Sequence, residues 1–168
     1  DFWEYDAGTG SWTQKANLPG AARLDAVGFS IARKGYMGLG GDHSNVLFND
    51  LWEYDPSSDS WHQMPDFPGE SRAGAIAFTI AGYGYIGVGW GFGDTNDIWK
   101  FDPVNQTWTK ETEYPGAGSS GMVCFAIGDK AYIGTGFLVN DFWEYTPSTK
   151  QWRQLQNFPE PFLNNSVS

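Results

Sequence analysis

The sequence predicts an all-β protein assembled from consecutive four-stranded sheets, and three observations carry that expectation. Aromatic residues make up 17% of the chain and 22 of its 168 residues are glycine, a composition that suits short strands joined by tight turns. One tryptophan-centred segment occurs four times. Between successive copies lies a second recurring block that ends in closely spaced glycines.

The first segment runs from Asp1 to Asp6 (DFWEYD) and returns as Asp50 to Asp55 (DLWEYD), Asp97 to Asp102 (DIWKFD) and Asp141 to Thr146 (DFWEYT). A second tryptophan follows the first by nine residues each time, pairing Trp3 with Trp12, Trp52 with Trp61, Trp99 with Trp108 and Trp143 with Trp152. The period lies in the forties, within the range of blade-type repeats. Turn chemistry follows each segment: Asp6 to Gly10 is glycine-rich, while Asp55-Pro56, Asp102-Pro103 and Thr146-Pro147 preset a turn through proline.

The second block pairs an apolar run with a glycine-rich one. It reads Ala26 to Ile31 with Gly35 to Gly41, then Ala75 to Ile80 with Gly84 to Gly89, then Met122 to Ile127 with Ala131 to Gly136. Each full repeat thus offers four strand-length runs, and short links favour antiparallel neighbours. A single sheet with apolar residues on both faces cannot bury itself, so repeats must stack. With strands this short, radial stacking into a β-propeller is the expected solution. The chain divides into a half-blade (1–20), three blades (21–69, 70–116 and 117–159) and a tail (160–168) that aligns with the start of another first strand.

Composition excludes several function classes. A net charge of −10 argues against a nucleic-acid partner, which needs a basic patch to displace counterions. No apolar run is long enough to be a transmembrane segment. The single cysteine, Cys124, permits neither an internal disulfide nor a cysteine-cluster zinc site, and its place in an apolar run predicts a small buried hydrophobe. The chain opens inside a strand pattern without an initiator Met, so an upstream segment is expected to have been removed or never included.

The Tyr-Ile-Gly-x-Gly block and the Trp-Glu-Tyr-Asp-Pro block, with their paired tryptophans, resemble kelch repeats. The wording is most similar to exported kelch proteins of Bacteroidota-type bacteria, loosely termed galactose-oxidase-like. The likeness covers residues 1–158 with two departures. The diglycine Gly40-Gly41 becomes Gly89-Trp90 and Gly136-Phe137, and the arginine present as Arg23 and Arg72 is Ser119 in the third repeat. The resemblance implies a ring of six or seven blades, which needs about 250 residues or more at this period. The chain is therefore expected to belong to a longer parent chain or to self-associate. The bacterial look of the repeats implies export to the periplasm or the cell surface.

In an antiparallel blade the loops joining second and third strands share a face with the inter-blade links, and the resemblance implies that this face binds ligands. Residues that break the repeat there are freest to serve function. They give Asp42, His43, Asn45, Trp90, Phe92, Asp94 and Phe137 as candidates, to which the links contribute Arg23 and Arg72 and, more weakly, Asp25, Glu70 and Tyr114. Aromatic rings beside polar groups could seat a surface glycan or a protein partner. Only two histidines exist, His43 and His62, too few for a copper or zinc set, so no cofactor and no metal is expected. The favoured expectation is a non-catalytic binding or scaffold module rather than an enzyme. The alternative is a fragment of a kelch-fold carbohydrate-active enzyme, sialic-acid epimerase-like or oxidase-like.

Overall fold

A computed structural model describes residues 1–92 and 95–159. The half-blade is the hairpin β1 (Phe2–Asp6) and β2 (Ser11–Lys15). The first blade holds β3 (Val27–Ile31), β4 (Lys34–Gly38), β5 (Leu51–Asp55) and β6 (Ser60–Met64), paired antiparallel in that order. The link strand β7 (Arg72–Ala73) comes next in the chain. The second blade orders β8 (Ile76–Ile80), β9 (Tyr83–Gly87), β11 (Asp97–Asp102) and β12 (Thr107–Glu113). Between β9 and β11 lies β10 (Trp90–Gly91), which pairs with β7 as a short separate ribbon. The third blade contains β13 (Val123–Ile127), β14 (Lys130–Gly136), β15 (Val139–Thr146) and β16 (Gln151–Gln154). Three four-stranded antiparallel blades and one hairpin are thus built from the four runs that each repeat predicts. The tail expected to begin another strand, 160–168, lies outside the described residues.

The blades pack radially. The innermost strands β3, β8 and β13 are neighbours in succession, and two apolar cores fill the spaces between consecutive sheets. One core gathers Val27, Leu39, Leu51 and Phe67 of the first blade with Ile86 and Phe101 of the second. The other repeats the pattern one blade later, with Ile76, Val88, Ile98 and Tyr114 against Ile133 and Tyr145. Cross-strand rings stack within each blade: Phe29 on Tyr36 at 5.1 Å, Phe78 on Tyr85 at 4.8 Å and Phe125 on Tyr132 at 5.5 Å. Gly84 is required by this packing, because a Cβ there would lie 2.5 Å from the Phe29 ring. Cys124 is only half-buried against the second core, less than its apolar run suggests.

Polar side chains stitch each blade to the link before it. In the first blade Asp50 accepts from Arg23 Nη2 (2.7 Å) and from Trp52 Nε1 (2.7 Å). In the second, Asp97 accepts from Arg72 Nη1 (2.6 Å) and Trp99 Nε1 (2.6 Å). Ser119 replaces the arginine in the third. There Asp141 accepts from Trp143 Nε1 (2.8 Å) and from the Tyr114 hydroxyl (2.9 Å). The corresponding ring in the preceding link is Phe67, so a hydroxyl appears in the repeat where the guanidinium is lost. Asp141 Oδ1 is buried with no hydrogen bond among the described residues.

Candidate functional site

Each first strand is preceded by one residue in the left-handed region: Asp25 (φ 53°), Gly74 (φ 58°) and Gly121 (φ 65°). Their backbones are tied in series, with Gly74 N–H donating to the Asp25 carbonyl (3.0 Å) and Gly121 N–H to the Gly74 carbonyl (3.4 Å). Glycine takes this conformation without steric cost, and aspartate is among the few other residues that tolerate it. The three therefore form a backbone arc across the blade axis, and only its first member carries a side chain.

That arc lines a cavity of about 210 Å³, together with Ala73, Ser120, Trp90 and Phe137. Trp90 is placed by the β7–β10 ribbon, in which it pairs with Ala73, and it stays 46% exposed. Phe92 lies beside it with ring centroids 5.8 Å apart. Phe137 sits at the tight turn between β14 and β15, where its N–H donates to the Ser120 carbonyl (3.2 Å) and its carbonyl accepts from Ser119 Oγ (2.8 Å). A second cavity of about 290 Å³ shares Asp25, Ala73 and Trp90 and adds Asp42, His43 and Asn45.

The loop 40–49 carries this second wall. Gly41 bridges Leu24 on one side and Leu47 on the other. Asp42 Oδ1 accepts the amides of Ser44 (2.8 Å) and Val46 (3.0 Å), so that oxygen holds the turn. His43 and Asn45 are exposed at the rim, Asn45 in the left-handed region at φ 61°.

The structure thus brings together Asp42, His43, Asn45, Trp90 and Phe137, with Phe92 against Trp90. It places Arg23 and Arg72 elsewhere. Arg72 is fully buried, its Nη1 bonded to Asp97 and to the carbonyls of Val88 and Thr95, with its guanidinium 5.0 Å from the Phe67 ring. Arg23 is held by Asp50 and the Leu39 carbonyl and lies over Phe48. Neither arginine lines the two loop-face cavities. Asp94 lies outside the described residues. Asp25 emerges as the charged residue among the three that line both cavities. Its signal in the sequence is plain once the repeats are aligned, because it stands where the other copies have Gly74 and Gly121. Among the described residues no three His, Cys, Asp or Glu side chains converge as a metal set.

Comparison with known proteins bears on the fold. The Kelch motif matches residues 39–68. The solved structure of YjhT is similar to this chain with a TM-score of 0.79 and 22% identity, over 90% of this chain and 57% of that one. The chain therefore spans little more than half of YjhT. No curated protein matches the chain. The likeness to YjhT overturns one expectation. It sets the chain among kelch folds, a group whose implied members include oxidases and epimerases, so the preference for a non-catalytic module over an enzyme does not hold. Fold alone leaves the deciding weight with the site.

Proposed function

We propose that this chain is the site-bearing part of a kelch-fold carbohydrate-active enzyme, acting on a sugar ring that lies against Trp90. The observation that supports it is the pair of adjoining cavities that share Asp25 and Trp90. A half-exposed indole offers a flat apolar face for the C–H side of a pyranose, while carboxylate, imidazole and amide groups suit its hydroxyls. Asp25 and His43 border the same cavity, and carboxylate and imidazole are side chains that act as general acids and bases. No Lys or Arg side chain borders either cavity, which favours a neutral sugar over an acidic one.

This arrangement suits epimerase-type chemistry at the anomeric carbon. One group takes the anomeric hydroxyl proton as the bond from that carbon to the ring oxygen breaks, and the other gives a proton to the ring oxygen. Closure on the opposite face returns both protons, so no oxidant or reductant is consumed. Equilibration of single anomers of neutral and acidic sugars, followed by NMR, tests the proposal. A rate above buffer with a neutral sugar is expected, reduced about a hundredfold or more in Asp25→Asn or His43→Ala, the lower end of general acid–base effects. Trp90→Ala should chiefly raise KM. Buffer-level rates with every sugar, or wild-type rates in both Asp25→Asn and His43→Ala, would refute it. The resemblance to exported kelch proteins extends the proposal to a site of action in the periplasm or at the cell surface, testable by fractionating the source cells.

A further inference from the structure

Trp90 borders two cavities at once, and the chemistry of the two differs. The larger, of about 290 Å³, carries the polar side chains Asp25, Asp42, His43 and Asn45. The smaller, of about 210 Å³, shares Asp25 but is otherwise aromatic, hydroxyl and bare backbone, with Phe137, Ser120, Gly74 and Gly121. Each falls below the roughly 300 Å³ at which sites for drug-sized ligands begin, and together they fall inside that range. Chemistry at an anomeric carbon involves one ring and needs the acid–base pair of the larger cavity. It leaves the smaller one without a task.

That smaller cavity is nonetheless built. Trp90 and Phe137 stand at one position of the repeat, where the first copy has Gly41, so two successive blades set an aromatic ring there in place of a glycine. Both rings stay about half-exposed. Phe137 is held at both ends of its backbone, because its carbonyl accepts from Ser119 Oγ and its N–H donates to the Ser120 carbonyl. Ser119 is also the residue that replaces the stitching arginine of the other repeats, so the lost stitch and the hold on Phe137 are one change. The left-handed Gly74 and Gly121 keep the backbone arc bare, and a Cβ on Gly74 would lie 3.2 Å from that of Ser120. Two aromatic rings beside a polar, side-chain-free arc suit the C–H face and hydroxyl rim of a second sugar.

We infer that the substrate is a neutral disaccharide, with its reducing ring in the cavity of Asp25 and His43 and its second ring in the cavity of Phe137. The inference rests on the anomeric chemistry proposed above. Only the reducing ring has a free anomeric hydroxyl, so that ring alone can react and the other must lie beyond it. His43 borders the first cavity and not the second, while Phe137 borders the second and not the first, which sets the direction of the ligand across Trp90. Among the described residues no Lys or Arg borders either cavity, so both rings are uncharged. Contacts to a ring that does not react supply binding energy that the reacting ring can use in its transition state.

Single anomers of glucose, galactose and mannose, compared by NMR with neutral disaccharides that end in the same three sugars, test the inference. At least one disaccharide is expected to exceed its own reducing sugar in kcat/KM by about tenfold or more, a modest gain for the atoms of a second ring. Phe137→Ala should bring that ratio close to unity. A merely structural role for Phe137 would slow both substrates alike and leave the ratio in place. Near-ultraviolet circular dichroism checks folding, and Ser119→Ala, which releases the Phe137 carbonyl, replaces Phe137→Ala should that variant fail. Monosaccharides turned over above buffer with no disaccharide faster would overturn the inference and leave the proposed activity standing, as would a ratio unchanged in the variant. Buffer-level rates with monosaccharides and disaccharides alike would remove both.

Discussion

The inner strands of the second and third blades show how little a side chain's identity says about its burial. Phe78, Ile80 and Tyr85 sit on one flank of the second blade, and Phe125, Ile127 and Tyr132 hold the same places in the third. The first three are 4%, 6% and 3% exposed, whereas Phe125 is 43% and Ile127 63% exposed. The strands, the register and the ring stacking match. What differs is the neighbour, since β13 and β14 lie against β8. Burial here belongs to the contact between repeats, and the repeat supplies only half of it.

Truncating the same ring on the two flanks should therefore give the largest contrast. Phe78→Ala is expected to cost about 3–5 kcal/mol, as for a core ring that leaves a cavity, and Phe125→Ala under about 1 kcal/mol in the isolated chain. Urea unfolding of both variants measures this, and equal losses would break the comparison. The buried polar stitches extend it to charge. Arg72→Ala should cost about 3 kcal/mol because it strands Asp97 in a buried site. Arg23→Ala should cost less, since the Asp50 side chain is 20% exposed against 11% for Asp97.

Ser119→Arg probes the same stitch from the opposite direction. It supplies the guanidinium that the third repeat lacks, facing the unpartnered Asp141 Oδ1. A gain of about 1.5 kcal/mol is expected, the lower end for a hydrogen bond to a charged group, read as a higher urea midpoint. The smallest effect concerns the outer strands of the third blade. Hydrogen bonds from Lys130, then from Arg153, hold the Glu144 carboxyl at about 2, against the opposing pull of burial. Its stabilising contribution is complete above the ordinary value of 4.5 and fades as pH falls toward 2. Glu144→Gln should flatten the decline in urea midpoint between those limits, and an unchanged decline would remove Glu144 from the acid response.

The architecture was legible because the repeat is written four times and each copy corrects the others. Paired tryptophans marked the outer strands, and the Gly-rich run marked the second strand of each blade. The site was legible in part. Repeat-breaking residues such as His43 and Trp90 do gather on one face. Arg23 and Arg72 break the pattern only in the third copy, and the aspartates that hold them inside the blades are distant in sequence. Their commitment to those partners was therefore invisible. Asp25 is a different case: aligned repeats set it against Gly74 and Gly121, but the left-handed φ that gives this departure its meaning is a property of the folded links. The β7–β10 ribbon that sets Trp90 is two residues long on each side, too short to leave a pattern.

The second strand of every blade ends on a left-handed pair: Leu39 and Gly40, Val88 and Gly89, Thr135 and Gly136. In the first two blades the chain comes back beside that pair, with Leu39 N–H donating to the Asp50 carbonyl and Val88 N–H to the Asp97 carbonyl. The kink uncouples the outgoing loop from the sheet beneath. Residues 40–49 wander over the first blade while only Phe137 and Leu138 turn the third, and the strands on either side keep their places. A segment of new length or chemistry could thus be spliced between the kink and the returning aspartate without resetting the blade, which makes this rim the part of the molecule most open to redesign.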